Sequence, residues 1–137
     1  MTDPPSPSKK VLIVNDDINI INEFITLLQD DNHLDIRAFT TNKCVFSSVP
    51  NKFIPQYAII DFSLENELGT KSVKYLYNRS PDTFIIMVSS TFNLVDISAI
   101  KKSQPNLYFN ISNTDIQSIF PCLKTLMIND KIRDYQE

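Results

Sequence analysis

The chain has 137 residues, 42% of them hydrophobic and 21% charged, the proportions of one globular domain with a sizeable core. Its net charge is −3, and the only adjacent cations are Lys9-Lys10 and Lys101-Lys102. A nucleic-acid surface needs a basic stripe, so no nucleic-acid partner is expected. Cys44 and Cys122 lack metal-type spacing, no signal peptide is visible, and no apolar run nears the ~18–20 residues of a bilayer span. Together these point to reduced thiols in a cytoplasmic protein with no membrane contact.

The first eight residues carry Pro4, Pro5 and Pro7 among small polar residues and read as a disordered leader. Lys10 to Val14 is a β-branched run closed by Asn15, Asp16 and Asp17, the pattern of a buried strand with polar residues at its carboxyl end. Ile18, Ile21, Phe24, Ile25 and Leu28 recur at helical spacing, which predicts an amphipathic helix of about three to four turns. Leu34 to Phe39 alternates as a half-buried strand does, and a short helix over Asn42 to Val49 should stop at Pro50.

Tyr57 to Asp61 is a third strand of four apolar residues and a terminal carboxylate. A loop over Phe62 to Leu68 leads to a helix over Gly69 to Arg79, where Val73, Leu76 and Tyr77 mark the buried stripe. Thr83 to Val88 is the longest apolar run and reads as a central strand, and Ser89, Ser90 and Thr91 follow it. Leu94, Ile97 and Ile100 predict a helix ending at Lys101-Lys102, where cations suit the dipole. Leu107 to Phe109 is a last strand closed by Asn110. Ile116, Ile119, Phe120, Leu123, Leu126 and Met127 place a final helix that Pro121 should kink or delay. Five strand–helix alternations predict an α/β fold, a doubly wound five-stranded parallel sheet with helices on both faces.

In such a sheet the carboxyl ends of the strands share one edge, and ligands bind there. That edge collects Asn15, Asp16 and Asp17 from the first strand, Asp61 from the third, Ser89 from the fourth and Asn110 from the fifth. Clustered carboxylates repel and protonate unless a cation joins them. Oxygen ligands without nearby His or Cys favour a hard cation, Mg²⁺. A carboxylate nucleophile, a divalent metal and a hydroxyl donor make a phosphoryl-accepting site. One glycine, Gly69, excludes glycine-rich phosphate loops and dinucleotide fingerprints, and any position that strictly needs glycine must fall there. An aspartate-nucleophile hydrolase would want a second carboxylate two residues on, where Ser63 and Ile18 stand.

Val11-Leu12-Ile13-Val14-Asn15-Asp16-Asp17, Ala58-Ile59-Ile60-Asp61 with Gly69 eight residues on, Ile86-Met87-Val88-Ser89 and Leu107-Tyr108-Phe109-Asn110 occur in the order and spacing of a known family. Over residues 9–128 the sequence resembles the receiver domain of two-component response regulators, of the chemotaxis-regulator type, leaving 129–137 as a tail or helix end. The resemblance implies the flavodoxin-like strand order 2-1-3-4-5. It implies that Asp61 accepts a phosphoryl group from the phosphohistidine of a sensor kinase or phosphotransfer protein. Asp16, Asp61 and the backbone carbonyl of Ser63 would hold Mg²⁺, with Asn15 acting through a water and Asp17 as a further candidate. Ser89 would be the switch hydroxyl, and the module would catalyse no more than its own phosphoryl transfer and dephosphorylation.

Several positions depart from that pattern. Asn15 stands where the family has the first acid of its pair, and Asn110 replaces the lysine, with no lysine between Lys102 and Lys124 to take its place. The family's three acids and one lysine sum to −2, and Asp16 and Asp61 with neutral Asn15 and Asn110 reach the same value, which keeps the site suited to a divalent cation. Leu107 occupies the place of the switch aromatic. Tyr108, one residue on, should point to the opposite face. Glu65 replaces the proline common after the acceptor. The expectation is a stand-alone receiver, monomeric or weakly dimeric, that signals to an effector protein through the face bearing Lys101, Lys102 and Tyr108. The alternative is a degenerate receiver acting as a phosphorylation-independent interaction module.

Overall fold

The computed structural model describes residues 9–28, 34–49, 53–91 and 93–111, together with Pro121 and Thr125. In chain order its elements are β1 (Lys9–Val14), α1 (Ile18–Leu28), β2 (Leu34–Phe39), α2 (Asn42–Ser48), β3 (Tyr57–Asp61), β4 (Ser63–Leu64), β5 (Glu67–Leu68), α3 (Thr70–Arg79), β6 (Phe84–Ser89), α4 (Leu94–Ser103) and β7 (Leu107–Asn110). The five longer strands form one parallel sheet in the order β2-β1-β3-β6-β7, which is the expected 2-1-3-4-5 once the β4–β5 hairpin is set aside.

The sheet is wound on both faces because its strands are apolar on both. Val11, Ile13, Tyr57, Ile59, Ile86 and Val88 pack with Ile21, Phe24 and Leu28 of α1. Their neighbours Leu12, Val14, Ala58, Ile60, Ile85 and Met87 pack on the other side with Val45 of α2, Val73 and Leu76 of α3, and Ile100 of α4. Period-2 alternation assigns each strand residue to one layer, and burial on both sides explains the uninterrupted apolar runs. The edge strand β2 is half-buried with Arg37 exposed, as its alternating sequence requires.

β6, expected as a central strand, lies inside the sheet between β3 and β7, with β3 in the middle. One expectation changes. The segment expected as a loop, Phe62 to Leu68, contains an antiparallel hairpin, Ser63 against Leu68 and Leu64 against Glu67. Its turn uses Asn66 at φ 62, a left-handed conformation that asparagine tolerates. Of the final helix only Pro121 and Thr125 are described, both helical, so the expected kink lies outside the described residues, as do the leader and the tail.

Candidate functional site

The parallel register brings the carboxyl ends of the strands to one edge: Val14 pairs with Ile60, Asp61 with Val88, and Ser89 with Asn110. Asp61 stands at the end of the middle strand, partly buried, and its Oδ1 accepts the Ser63 N–H at 3.3 Å. Burial pushes its carboxyl up from the ordinary 3.8 to about 6; the charges of Asp16 and Asp17 push the same way, and the N–H groups of Ser63 and Phe62 oppose the rise without cancelling it. Asp17 therefore belongs in the site's electrostatics, and the carboxylates acting together number three rather than the two of the sequence count.

The β1–α1 turn shows how these acids are held. Asn15 is buried at 1% exposure, its N–H donates to the Phe39 carbonyl at 3.0 Å, and its Oδ1 accepts the Asp17 N–H at 2.9 Å. Asp17 caps α1, with Oδ1 accepting the Asn19 N–H at 2.9 Å and its carbonyl accepting the Ile21 N–H. Asp16 between them is exposed at the sheet edge. The side-chain oxygen of Asn15 thus orders the turn that presents Asp16, a role that its asparagine identity allows and that sequence spacing does not reveal.

At the other end of the site, Ser89 is buried and its Oγ accepts the Thr91 N–H at 3.0 Å. A hydroxyl that accepts there still has its proton to donate. Asn110 donates from Nδ2 to the Thr91 carbonyl at 2.7 Å and lies 3.4 Å from the Tyr108 hydroxyl. Leu107 packs in the α1 layer and Tyr108 in the opposite one, as the pleat predicts. The β6–β7 pairing is regular, so Tyr108 reaches Asn110 along its own face without a bulge. Tyr108 is half-buried rather than an exposed contact residue, whereas Lys101 and Lys102 are exposed.

Sequence reasoning missed the supports of the loop that follows Asp61. Gly69 has an ordinary helical φ of −64, so its need for glycine is spatial. A Cβ there would lie 2.0 Å from the Asp61 carbonyl oxygen and 2.8 Å from Ile60 Cγ2. Its N–H also closes the loop on the Phe62 carbonyl at 2.8 Å. Asn42, buried at the start of α2, donates from Nδ2 to the Leu68 carbonyl at 2.9 Å, accepts the Ser72 hydroxyl on Oδ1 at 2.5 Å, and donates its backbone N–H to Glu67 Oε1 at 2.6 Å. Polar residues in an apolar stripe, Asn42 and Ser72, were the signal available for this network.

The donor set fits a hard cation: the neighbouring carboxylates of Asp16 and Asp17, the Asp61 carboxylate whose ionisation is penalised by its surroundings, and oxygen atoms throughout. Among the described residues no three His, Cys, Asp or Glu side chains stand close enough to hold a metal alone. Mg²⁺ commonly takes one or two carboxylates and keeps several waters.

The parallel 2-1-3-4-5 sheet wound on both faces is a flavodoxin-like fold, and solved structures that share it with this chain are response regulator receiver domains. A response regulator receiver domain protein from Methanospirillum hungatei matches with a TM-score of 0.76 at 18% identity, over 92% of this chain and 98% of that one. The chemotaxis protein CheY4 of Vibrio cholerae matches at 0.68 and 20%, over 88% and 97%. A response regulator from Burkholderia pseudomallei, whose structure carries a phosphorylated aspartic acid and a calcium ion, matches at 0.68 and 16%, over 93% and 73%. No family model matches the sequence, and no curated protein matches it.

Proposed function

We propose that the chain is a receiver module that takes a phosphoryl group on Asp61 from a histidine kinase or phosphotransfer protein and signals by protein–protein contact. The observation that supports this most is the state of Asp61: a partly buried carboxylate whose charge is disfavoured by burial and by Asp16 and Asp17. With a carboxyl near 6, Asp61 is mostly ionised at neutral pH and able to attack phosphorus. A new P–O bond forms, the P–N bond of the donor imidazole breaks, and its electron pair leaves with the nitrogen. Asp16, Asp61 and the Ser63 carbonyl would hold Mg²⁺, which when bound offsets the negative charge on the transferred group. The Ser89 hydroxyl would donate a hydrogen bond to a phosphoryl oxygen while its oxygen keeps accepting the Thr91 N–H. The module lies within residues 9–128, works in the cytoplasm as a monomer or weak dimer, and has no nucleic-acid or membrane partner. No described helix is long and apolar enough to cross a membrane.

The test is incubation with Mg²⁺ and acetyl phosphate followed by intact mass measurement. One added phosphoryl group in the wild type and none in Asp61→Asn is expected; no addition, and no response to beryllofluoride, would refute the reading. A second reading, an interaction module that works unphosphorylated, is favoured by one observation. The residue in the lysine's place, Asn110, carries no charge and spends an amide N–H on the Thr91 carbonyl.

A further inference from the structure

Ser89 and Asn110 are neighbours across the β6–β7 register, and both bind the same residue of the β6–α4 connection. Thr91 gives its N–H to Ser89 Oγ at 3.0 Å and takes the Asn110 Nδ2 donor on its carbonyl at 2.7 Å. Its hydroxyl donates to Asp96 Oδ2 at 3.0 Å and accepts the Asn93 N–H at 3.0 Å. Asn93 then caps α4, its Oδ1 accepting the N–H groups of Val95 at 2.8 Å and Asp96 at 3.3 Å. Both backbone polar groups and the hydroxyl of Thr91 are therefore engaged, and the first turn of α4 hangs from them. That turn carries Leu94 and Val95 at 81% and 76% exposure, so apolar burial contributes little to holding it. Helix ends held by polar contacts alone fray when one is removed.

We infer that Asn110 is a positioning residue whose carboxamide clamps the Thr91 carbonyl and so fixes the N-terminal turn of α4. An amide suits this work: it is short, neutral and planar, with two N–H protons, one on Thr91 and one facing the Tyr108 hydroxyl. A lysine here would bring a flexible cation that seeks a carboxylate. The clamp needs nothing bound at Asp61, and it goes beyond phosphoryl acceptance by giving the lysine's replacement its own structural task.

The experiment is residue-resolved amide hydrogen exchange on the full chain without metal or phosphodonor, for wild type, Asn110→Ala, Asn110→Asp and Thr91→Val. Loss of one neutral hydrogen bond should speed exchange at Val95, Asp96 and Ile97 about five- to tenfold in Asn110→Ala, and leave Ile13 and Ile59 unchanged. Asn110→Asp keeps the size but not the donor, and Thr91→Val removes the hydroxyl anchor; both should show the same local pattern. Unchanged exchange in α4, or a uniform rise across the sheet in all three variants, would overturn the inference. A fall in beryllofluoride affinity of Asn110→Ala with α4 exchange unaltered would also overturn it, since Asn110 would then act on the site directly. Because exchange is read without phosphodonor, failure of Asp61 to accept a phosphoryl group leaves this result separately readable.

Discussion

Replacing Asp61 by asparagine should stabilise the metal-free protein. Between the ordinary carboxyl value of 3.8 and about 6, the folded chain keeps a proton on Asp61 that the unfolded chain has released. The native state binds more protons there, so stability falls as pH rises through that window and stays reduced above it. A shift of about two units corresponds to roughly 3 kcal/mol, which solvent screening of a partly exposed side chain cuts to about 1–2 kcal/mol. The amide mimics the neutral acid, so Asp61→Asn should raise the melting temperature by about 4–6 °C at pH near 7.5. Near pH 4, where wild-type Asp61 is protonated, the two proteins should melt together. Urea and thermal unfolding in EDTA at both pH values measure this. Mg²⁺ should then stabilise the wild type and leave Asp61→Asn nearly unmoved, by mass action on the folded state. An Asp61→Asn protein no more stable than wild type at pH near 7.5, or equally shifted at both pH values, would refute the electrostatic account.

Gly69→Ala should cost about 1–3 kcal/mol in urea unfolding despite alanine's better helix propensity, because the new Cβ meets backbone at 2.0 Å and the Asp61 carbonyl must move. Asn42→Ala should cost about 1–3 kcal/mol by stripping partners from the buried Ser72 hydroxyl and the Leu68 carbonyl, and the hairpin amides should exchange faster. Asn110→Lys should lower the Asp61 titration midpoint by about one unit, seen by carboxyl carbon NMR, because a cation at the end of β7 favours the charged form. No shift in that variant would mean that Asn110 lies outside electrostatic reach of the acceptor.

Much of the fold was legible because hydrophobic period reports which faces are covered. Runs without alternation marked β1, β3 and β6 as buried strands, and the alternating Leu34 to Phe39 marked a half-buried one, which the sheet order then puts at an edge. The length of an apolar run marked β6 as inside the sheet but could not give strand order, since crossovers decide it and the middle strand, Tyr57 to Asp61, is shorter than the strand beside it. The acidic strand ends were legible as a set because a parallel sheet gathers carboxyl ends whatever the loops do. Hydrogen-bond partners were not legible, because they join residues far apart in the chain: Asn42 with Leu68 and Ser72, and Asn110 with Thr91.

By itself the sequence determined the layered α/β architecture, the position of Asp61 at a strand end, and asparagine rather than lysine at the end of β7. Those follow from local pattern and residue identity. Only the tertiary structure decided why Gly69 is glycine, that Asn15 orders the acidic turn, that Asp17 acts electrostatically on Asp61, and that Asn110 holds Thr91. Each of these depends on distances between segments that the chain brings together only when the sheet has formed.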